Sequence, residues 1–332
     1  MIDFKGRSLL ITGGTGSFGK ALLKNLINSN LKLRRIIIFS RDELKQFELQ
    51  KLYSEKRYPF LRFFLGDVRD LRRLQYAFKD VDYVIHAAAL KQVPAAEYNP
   101  FEFIKTNILG AQNIIEATLS NNVKKLIALS TDKAVSPLNL YGATKLCSDK
   151  LFLAANNITG NQKSSFSIVR YGNVFGSRGS VYHEFLRQRK NKNFEITHKE
   201  MTRFNINMED AIKMVLWVLK NSIGAEVFVP KLSSFRIVDL AKAIDKDSKI
   251  NYVGIRPGEK IHEELITDSD SIHTVSIKNY YVVLNYNKKL IKSYYKKFRA
   301  KKVPLNFSYN SGHNENLLNL VEIKKIINNF SI

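Results

Sequence analysis

Short apolar runs recur along the first half of the chain, and amphipathic stretches separate them. The runs are rich in Ile, Leu, Val and Phe and predict strands at 8–12, 35–40, 61–67, 83–89, 125–131 and 166–174. Between them, apolar residues follow helical spacing at 17–28, 99–121 and 141–156. Strands that are apolar throughout and alternate with helices are typical of a parallel sheet that is covered on both faces.

The pattern changes after about Tyr171. A loop that contains Gly and Arg follows, then predicted helices at 183–190 and 208–219 and one more strand at 226–230. The predicted fold class is α/β: a Rossmann-like doubly wound parallel sheet with a smaller mixed α/β C-terminal substrate domain. We assign residues 1–171 and 206–230 to the sheet domain, and residues 172–205 and 231–332 to the second domain, which would form one wall of a cleft.

The formal charge of +23 raises the question of a nucleic-acid partner. Lys residues are scattered over the whole length instead of concentrating on one face, so we expect a solvated basic surface and no nucleic-acid binding. The densest basic run, at 287–302, alternates apolar and basic residues and predicts an amphipathic surface helix. A basic field of this kind would attract an anionic substrate such as a nucleotide diphosphate.

Cysteine usage and hydropathy bear on where the protein works. Cys147 is the single cysteine, so the chain has no disulfide framework of its own and fits a reducing compartment. No apolar run approaches the roughly 20 residues that span a bilayer. We expect a soluble cytoplasmic protein with no membrane partner.

The stretch "ITGGTGSFG" places a glycine-rich turn between the first strand and the first helix. Glycines there permit a tight turn and a close approach of backbone to a pyrophosphate, and the helix N-terminus attracts the anion. We therefore expect a dinucleotide to contact Thr12, Gly13, Thr15, Gly16, Ser17, Phe18 and Gly19.

The end of the second strand selects the cofactor. An acidic residue there binds the ribose 2′-hydroxyl of NAD, whereas Arg accommodates the 2′-phosphate of NADP. The sequence "FSRDELK" offers Ser40, Arg41 and Lys45 as phosphate partners. Asp42 is either the NAD marker or the cap of the following helix. We favour NADP, with Asp42 as the cap.

Thr131, Tyr141 and Lys145 stand in the pattern Thr-x9-Tyr-x3-Lys, which places Tyr141 and Lys145 on one helical face. A nearby ammonium and the positive charge of an oxidised nicotinamide would lower the pKa of the phenol from its ordinary value near 10. Tyr141 could then take the proton of a sugar hydroxyl while a hydride leaves for the nicotinamide, with Thr131 hydrogen-bonded to the same oxygen.

Asp132 and Lys133 follow Thr131 directly, and plain hydride transfer has no need of them. Oxidation of a hexose at C4 makes the hydrogen at C5 acidic. A base can then remove that proton, an acid can help the C6 hydroxyl leave as water, and the hydride can return to C6. This dehydration needs two further proton-transfer groups, which Asp132 and Lys133 would provide. The alternative is an ion pair on a surface loop.

The glycine pattern after Thr12 resembles the extended short-chain dehydrogenase/reductase family. The stretch "STDKA…NLYGATKLCSDKLF" is similar to the UDP-N-acetylglucosamine 4,6-dehydratases that invert C5 and begin pseudaminic acid biosynthesis, which serves flagellin glycosylation. Dehydratases that retain C5 configuration typically have Asp-Glu where this chain has Asp132 and Lys133. Further matching segments, among them "HAAALK", "VRYGNVFGSRGSV" and "GIRPGEKIHE", extend the resemblance almost from end to end.

The resemblance implies roles for individual residues. Lys133 would be the base at C5 and Asp132 the acid at C6, with a tightly bound NADP, no metal, UDP-N-acetylglucosamine as substrate, and a homo-oligomer (dimer or hexamer). The further cofactor contacts it implies are Asp67, Val68, Ala87, Ala88, Lys91, Tyr141, Lys145 and Tyr171. The implied substrate contacts are Lys91, Asn173, Arg178, Arg256 and Glu259, with Arg256 at the pyrophosphate and Glu259 at the uridine ribose.

Three positions depart from the family pattern, which has His, Pro and an aromatic residue where this chain has Gln92, His183 and Asn205. Three other functions remain open. A nucleotide-sugar 4-epimerase shares the Thr/Tyr/Lys set but needs no extra acid and base. A dehydratase/5-epimerase of capsule N-acetyl-fucosamine synthesis would make the same first product. A nucleotide-sensing or RNA-binding protein could retain the fold without catalysis.

Overall fold

A computed structural model describes residues 4–29, 31–177, 179–284 and 288–330. Its strands are β1 (Ser8–Thr12), β2 (Arg35–Ser40), β3 (Leu61–Leu65), β4 (Tyr83–His86), β5 (Lys125–Thr131), β6 (Ser165–Tyr171), β7 (Asn193–Ile196), β8 (Thr202–Asn205), β9 (Glu226–Pro230), β10 (Ser233–Arg236), β11 (Lys249–Tyr252), β12 (Glu264–Ile266), β13 (Thr274–Ser276), β14 (Tyr280–Leu284), β15 (Lys301–Lys302) and β16 (Tyr309–Asn310).

The α-helices are α1 (Ser17–Asn28), α2 (Glu43–Leu52), α3 (Leu71–Ala77), α4 (Val93–Tyr98), α5 (Pro100–Phe103), α6 (Gly110–Ser120), α7 (Leu140–Ala155), α8 (Val181–Gln188), α9 (Met208–Asn221), α10 (Ile237–Ile244), α11 (Asp268–Ser271), α12 (Lys288–Phe298) and α13 (Leu320–Phe330). A π-helical segment (Ile104–Leu109) joins α5 to α6, and short 3₁₀ turns lie at Asp132–Ala134 and Arg189–Asn191.

The central sheet has the strand order β15-β13-β14-β9-β6-β5-β4-β1-β2-β3. The strands from β3 to β9 in that order run parallel, and β14 joins β9 in the antiparallel direction. The strand order reverses beside β1, which lies between β2 and β4. Ligands of such sheets bind at the carboxyl ends of the strands near that reversal. The predicted doubly wound sheet is confirmed.

Apolar side chains cover both faces of the sheet, because successive residues of each strand point to opposite sides. Leu9 and Ile11 of β1 pack into one core together with Leu22 of α1, whereas Leu10 belongs to a second core with Phe152 of α7. All five side chains are fully buried. Burying a side chain of this size contributes about 1.5–3 kcal/mol, so the two cores hold the helices that carry the site against the sheet.

Three elements end earlier than the apolar pattern predicts. The strands predicted at 61–67, 83–89 and 166–174 end at Leu65, His86 and Tyr171, because the chain leaves the sheet there to form loops. The helix predicted over 99–121 is instead α5, the π-helical segment and α6 in succession. The side chain of Asn107, in the π-helical segment, hydrogen-bonds a neighbouring loop, as described below.

A smaller unit packs around a separate apolar cluster. It combines α8, α10 and α13 with the strand pairs β7–β11 and β8–β10, and its buried side chains include Phe185, Phe194, Phe235, Leu240 and Ile323. The segment from β13 to β15 pairs with the central sheet through β14, although the boundary predicted from the sequence leaves it in the second domain. The division into two domains stays a prediction.

The basic run at 287–302 contains a helix, as its apolar spacing predicts. Leu290 and Tyr294 of α12 are buried against the sheet domain, while residues 285–287 lie outside the described residues. In the part of the chain that the structure describes, no helix combines the length and apolarity needed to cross a membrane.

Candidate active site

The glycine-rich turn between β1 and α1 is shaped for close contacts. Gly13 has φ +65°, and a Cβ there would lie 2.9 Å from the Cα of Ala88. A Cβ at Gly19 would lie 2.5 Å from Gly14, so only glycine lets α1 start against the turn. No side chain caps α1 at Gly16, which leaves the first N–H groups of the helix free for an anion. The turn fits a dinucleotide pyrophosphate.

The residues predicted to contact the cofactor lie in or beside this turn. Thr15, Gly16, Ser17 and Phe18 span the turn and the start of α1. The hydroxyl of Thr12 accepts hydrogen bonds from the backbone N–H groups of Ala87 (3.2 Å) and Ala88 (3.3 Å). The loop after β4 is thereby held against the glycine turn.

His86 ends β4 and reinforces the same junction. Its Nδ1 lies 2.8 Å from the Thr12 hydroxyl. Burial, together with the charge of Lys145, lowers the pKa of His86 to about 3. The imidazole is therefore neutral and serves as a hydrogen-bonding partner inside the sheet domain.

At the end of β2, Asp42 caps α2 by accepting a hydrogen bond from the backbone N–H of Lys45 at 3.0 Å. Its carboxylate also forms an ion pair with the ammonium of Lys45. Ser40 is buried and accepts a hydrogen bond from Gln46 at 3.1 Å. The Arg41 guanidinium lies 3.6 Å from Asp67, at the end of β3, and is half exposed. Asp42 thus has the capping role.

Asp67 and Val68 follow β3. Burial acts to raise the pKa of Asp67, but hydrogen bonds from Arg69 outweigh it and the net pKa is lowered. The carboxylate is therefore ionised beside Arg41. Val68 is buried, and its carbonyl accepts a hydrogen bond from Asn113 of α6 at 3.0 Å.

The structure places the predicted Thr/Tyr/Lys set at the carboxyl end of β5. Thr131 ends that strand, and Tyr141 and Lys145 lie one turn apart on α7. The side chain of Asn139 caps α7 through the N–H of Gly142 at 2.8 Å. Lys145 is buried and donates to the carbonyl oxygen of Leu129 at 2.9 Å. The helix and the strand are thereby held together at the site.

Burial raises the pKa of Tyr141 to about 12, although the charge of Lys133 and a hydrogen bond with Thr131 act in the opposite direction. The sequence pattern predicts that a nearby ammonium lowers this pKa, and the charge of Lys133 acts in that direction. Lys145 itself has a pKa lowered by burial, which Asp149 partly offsets. Tyr171, at the end of β6, is buried beside Tyr141, and its pKa is raised by burial.

Asp132 and Lys133 form part of a charge cluster that is largely buried, with the Lys133 side chain 23% exposed. The Lys133 ammonium donates to Asp132 at 3.0 Å, to the side-chain oxygen of Asn173 at 3.2 Å and to Glu263 at 3.2 Å. The Nε of Arg203 lies 3.5 Å from the same oxygen of Glu263. Asp132 is 0% exposed and Glu263 is 2% exposed. The pair is therefore not an ion pair on a surface loop.

The cluster determines the resting protonation of Lys133. Burial acts to lower the pKa of its ammonium, but the charges of Asp132 and Glu263 outweigh burial and raise it. Burial raises the pKa of Asp132, and the negative charge of Glu263 adds to this effect while Lys133 opposes it. Lys133 therefore rests as an ammonium, hydrogen-bonded to a carboxylate that protonates more readily than a free one.

Two of the predicted substrate residues, Lys91 and Asn173, lie near Lys133. Asn173 belongs to the charge cluster. Burial lowers the pKa of Lys91, and the charge of the nearby Lys133 lowers it further. Arg256 is exposed and lies 4.0 Å from Glu259. Arg178 lies outside the described residues.

A pocket opens beside the cluster. Its lining includes Asn173, Arg203 and Asn205, so one of the three departures from the family pattern borders this pocket. His183 instead contacts the loop after β6, with its Nε2 2.9 Å from the carbonyl oxygen of Gly176. Among the described residues, no group of three His, Cys, Asp or Glu side chains is placed to hold a metal ion.

Sequence reasoning misses three residues of the site. Glu263 and Arg203 lie in the segments "KIHEEL" and "MTRF". The resemblance to the dehydratase family implies no role for either residue. The side chain of Asn107 pairs with both the N–H and the carbonyl of Leu90 at 2.9 Å and donates to Thr144 of α7 at 3.0 Å. It thereby joins the loop after β4 to the helix of Tyr141.

Comparisons with known proteins agree with this geometry. The sequence profile of the polysaccharide biosynthesis protein family matches residues 9–285. A Campylobacter jejuni protein named UDP-N-acetylglucosamine 4,6-dehydratase (inverting) is 50% identical over 98% of this chain and 98% of its own. A Rickettsia bellii protein named UDP-glucose 4-epimerase is 40% identical over 98% of this chain and 96% of its own. The solved structure of Pen from Bacillus thuringiensis has a TM-score of 0.88 and 34% identity, and the match covers 99% of each chain.

The Asn107 junction is testable by substitution. In Asn107→Ala, the part-buried N–H and carbonyl of Leu90 lose their partners, and each such loss costs about 1–3 kcal/mol. We expect the free energy of unfolding in urea to fall by roughly 3 kcal/mol. Asn121→Ala, which removes one hydrogen bond to the carbonyl of Ala117 at the end of α6, is the control and should cost less than about 1.5 kcal/mol. Equal losses in the two variants would contradict the role of Asn107.

Proposed function

The chain belongs to the polysaccharide biosynthesis protein family of the extended short-chain dehydrogenase/reductases, and we propose that it catalyses the C5-inverting 4,6-dehydration of UDP-N-acetylglucosamine. The observation that carries this proposal is the hydrogen bond of 3.0 Å between the partly exposed Lys133 and the buried Asp132 at the end of β5. The pair supplies an acid and a base beside Tyr141. The name of the Campylobacter jejuni relative supports the same reaction.

A nicotinamide dinucleotide bound at the glycine turn would supply the hydride acceptor for C4 and the hydride donor for C6. Tyr141 takes the proton of the C4 hydroxyl, and Thr131 hydrogen-bonds the same oxygen. A positive charge next to the phenol favours its ionised form, and Lys133 already acts in that direction.

The C4 carbonyl then makes the C5 hydrogen acidic, and the Asp132–Lys133 pair handles the two protons that follow. Transfer of one proton along their 3.0 Å hydrogen bond turns the ammonium and carboxylate into an amine and a carboxylic acid. Lys133, as the amine, removes the C5 proton, and Asp132, as the acid, protonates the leaving C6 hydroxyl. Both residues thereby return to the resting ion pair.

The remaining protons also balance. C5 regains a proton on its opposite face, which inverts its configuration. That proton comes from solvent, and Tyr141 releases to solvent the proton that it took from the C4 hydroxyl, so the net loss from the sugar is one water. The second oxygen of Asp132 is buried and makes no hydrogen bond within the described part of the chain, so its hydrogen-bonding capacity is unused there.

We propose NADP as the dinucleotide. Its support is the end of β2, where Asp42 is occupied as a helix cap and the Arg41 guanidinium is half exposed. An anionic 2′-phosphate would take Arg41 as a partner, whereas the ribose hydroxyls of NAD would find no unpaired carboxylate at Asp42.

A 4-epimerase is the second candidate, because the Rickettsia bellii relative named UDP-glucose 4-epimerase covers nearly the whole chain. Epimerisation would use Thr131, Tyr141 and Lys145 alone and would leave the Asp132–Lys133 pair without a chemical role. Entry of the product into pseudaminic acid synthesis for flagellin glycosylation, a cytoplasmic location and a homo-oligomeric state also remain proposals, which the family resemblance supports.

Product analysis separates the two candidates. The purified protein is incubated with UDP-N-acetylglucosamine in deuterated water without added cofactor, and the sugar is followed by NMR. We expect loss of the C6 hydroxyl, deuterium at C5 and an inverted 4-keto-6-deoxy sugar. Conversion to the galacto isomer without loss of oxygen would instead establish the epimerase. In the same assay, Lys133→Ala should slow deuterium uptake at C5 by at least about 100-fold, since general acid–base groups contribute about 10²–10⁴.

The control for Lys133→Ala is Lys150→Ala, which removes the same charge from an exposed position on α7. It should leave deuterium uptake unchanged. Normal uptake at C5 in Lys133→Ala would remove Lys133 from the role of base.

Cofactor preference tests the role of Arg41. In Arg41→Ala, we expect the Kd for NADP to rise by about 10- to 100-fold, because a charged hydrogen bond is worth roughly 1.5–3 kcal/mol, with little change for NAD. Isothermal titration calorimetry of the cofactor-free protein measures both values. The control is Arg57→Ala, which removes an exposed guanidinium shortly before the start of β3. This variant should alter neither the Kd for NADP nor the Kd for NAD. An equal loss of NAD and NADP binding in Arg41→Ala would contradict a 2′-phosphate contact.

A further inference from the structure

Glu263 immediately precedes β12 and is held on both sides by the chain around Ser311. Its backbone N–H donates to the Ser311 hydroxyl at 2.9 Å, and its carbonyl accepts from the Ser311 N–H at 2.8 Å. One carboxylate oxygen lies 3.2 Å from the Lys133 ammonium and 3.5 Å from Arg203. The other oxygen is buried and has no hydrogen-bond partner among the described residues.

A buried carboxylate costs several kcal/mol unless cations compensate it. The reaction as derived above uses Asp132, Lys133 and Tyr141 and leaves Glu263 without a task. Its position between Lys133 and Arg203 suggests a role, because its carboxylate forms ion pairs with both cations.

We propose that Glu263 is a positioning residue for proton transfer at C5: it holds the Lys133 nitrogen in place and keeps the shared proton within the Asp132–Lys133 pair. This inference rests on the proposed dehydratase function. Lys133 has three N–H donors, and all three have acceptors, on Asp132, Asn173 and Glu263. Glu263 is the charged acceptor that takes no part in bond breaking.

Arg203 makes this arrangement work in both protonation states of Lys133. When the proton moves from Lys133 to Asp132, the ammonium loses its charge and ceases to compensate Glu263. The guanidinium of Arg203, 3.5 Å away, remains as the counter-ion. The cluster is neutral before and after the transfer, so the proton moves without leaving an uncompensated buried charge.

The charge of Glu263 acts on both members of the pair in the same direction, raising the pKa of Lys133 and of Asp132. The other titratable and charged groups that face Lys133 are Asp132, Lys91, Tyr141, Arg203 and Lys260. The active form of the pair holds one proton. It gains a second proton on the acid side of the pH profile and loses its only one on the basic side. Removing the charge of Glu263 should therefore move both the acid limb and the basic limb of the pH–rate profile towards lower pH.

The test compares Glu263→Gln with Glu264→Gln in dehydration of UDP-N-acetylglucosamine. Glu264 is the matched control, because it is the adjacent glutamate and its carboxylate accepts a hydrogen bond from the Ser136 hydroxyl at 3.3 Å, whereas the carboxylate of Glu263 accepts from Lys133. In Glu263→Gln we expect kcat to fall on the order of 10- to 100-fold, part of the 10²–10⁴ that acid–base groups contribute, with KM changing less than about threefold. Both limbs of its kcat/KM profile should shift to lower pH, and those of Glu264→Gln should not. Glu263→Asp, which keeps the charge, should restore the limbs.

A second measurement uses the ligand-free protein and needs no activity. Trace acetylation with acetic anhydride over a pH series, read by peptide mass spectrometry, reports the titration of individual lysines. In the wild-type protein, Lys133 should react at higher pH than the exposed Lys150, and in Glu263→Gln its midpoint should move down. If Glu263→Gln does not fold, the wild-type comparison still decides, because a Lys133 midpoint below that of Lys150 overturns the proposal.

The outcomes separate the two proposals. A wild-type protein that gives no dehydrated sugar overturns the proposed function, and the inference falls with it. A wild-type protein that dehydrates, with Glu263→Gln matching Glu264→Gln in rate, limbs and labelling, overturns the inference alone. A lower kcat with unmoved limbs also overturns it, since that is the result of a purely structural defect.

Discussion

The largely buried charge cluster of Asp132, Lys133, Arg203 and Glu263 is the interaction on which the rest of the site depends. Charges removed from water must balance, so the cluster forms only when elements that are distant in sequence meet. Lys133 follows β5 of the central sheet, Arg203 comes from β8, and Glu263 directly precedes β12. The same contacts that neutralise the cluster therefore dock the β8 and β12 segments onto the carboxyl ends of the parallel strands.

This constraint links the fold to the chemistry. The glycine turn, Thr12 and His86 hold the loop after β4 beside β1, and Asn107 ties that loop to α7. The helix α7 then presents Tyr141 and Lys145 next to the cluster. Thr131, Tyr141 and Lys145 thus lie beside Asp132 and Lys133, and in the proposed function this second pair is what separates a dehydratase from an epimerase on the same fold.

The sequence predicts the sheet well, because the sheet depends on local patterns. The bounds of β1, β2, β5 and α1 follow directly from runs of apolar residues and from the glycine turn. The charge cluster lies beyond such reasoning: Glu263 and Lys133 are 130 residues apart, and nothing in the spacing pairs them. The resting ammonium of Lys133 depends on that pairing, so its protonation state could not be read from the motif alone. The π-helical segment at Asn107 interrupts a helix that periodicity predicts as continuous.

A crystal structure of the protein with UDP-N-acetylglucosamine and NADP bound tests the central claim most directly, through the distance from the Lys133 nitrogen to C5 of the sugar. We expect about 3–3.5 Å, the separation of reacting atoms in a near-attack geometry, with Asp132 at the C6 hydroxyl and Glu263 still between Lys133 and Arg203. A sugar whose C5 lies beyond reach of Lys133, with only Tyr141 and Thr131 at its C4 hydroxyl, would contradict it.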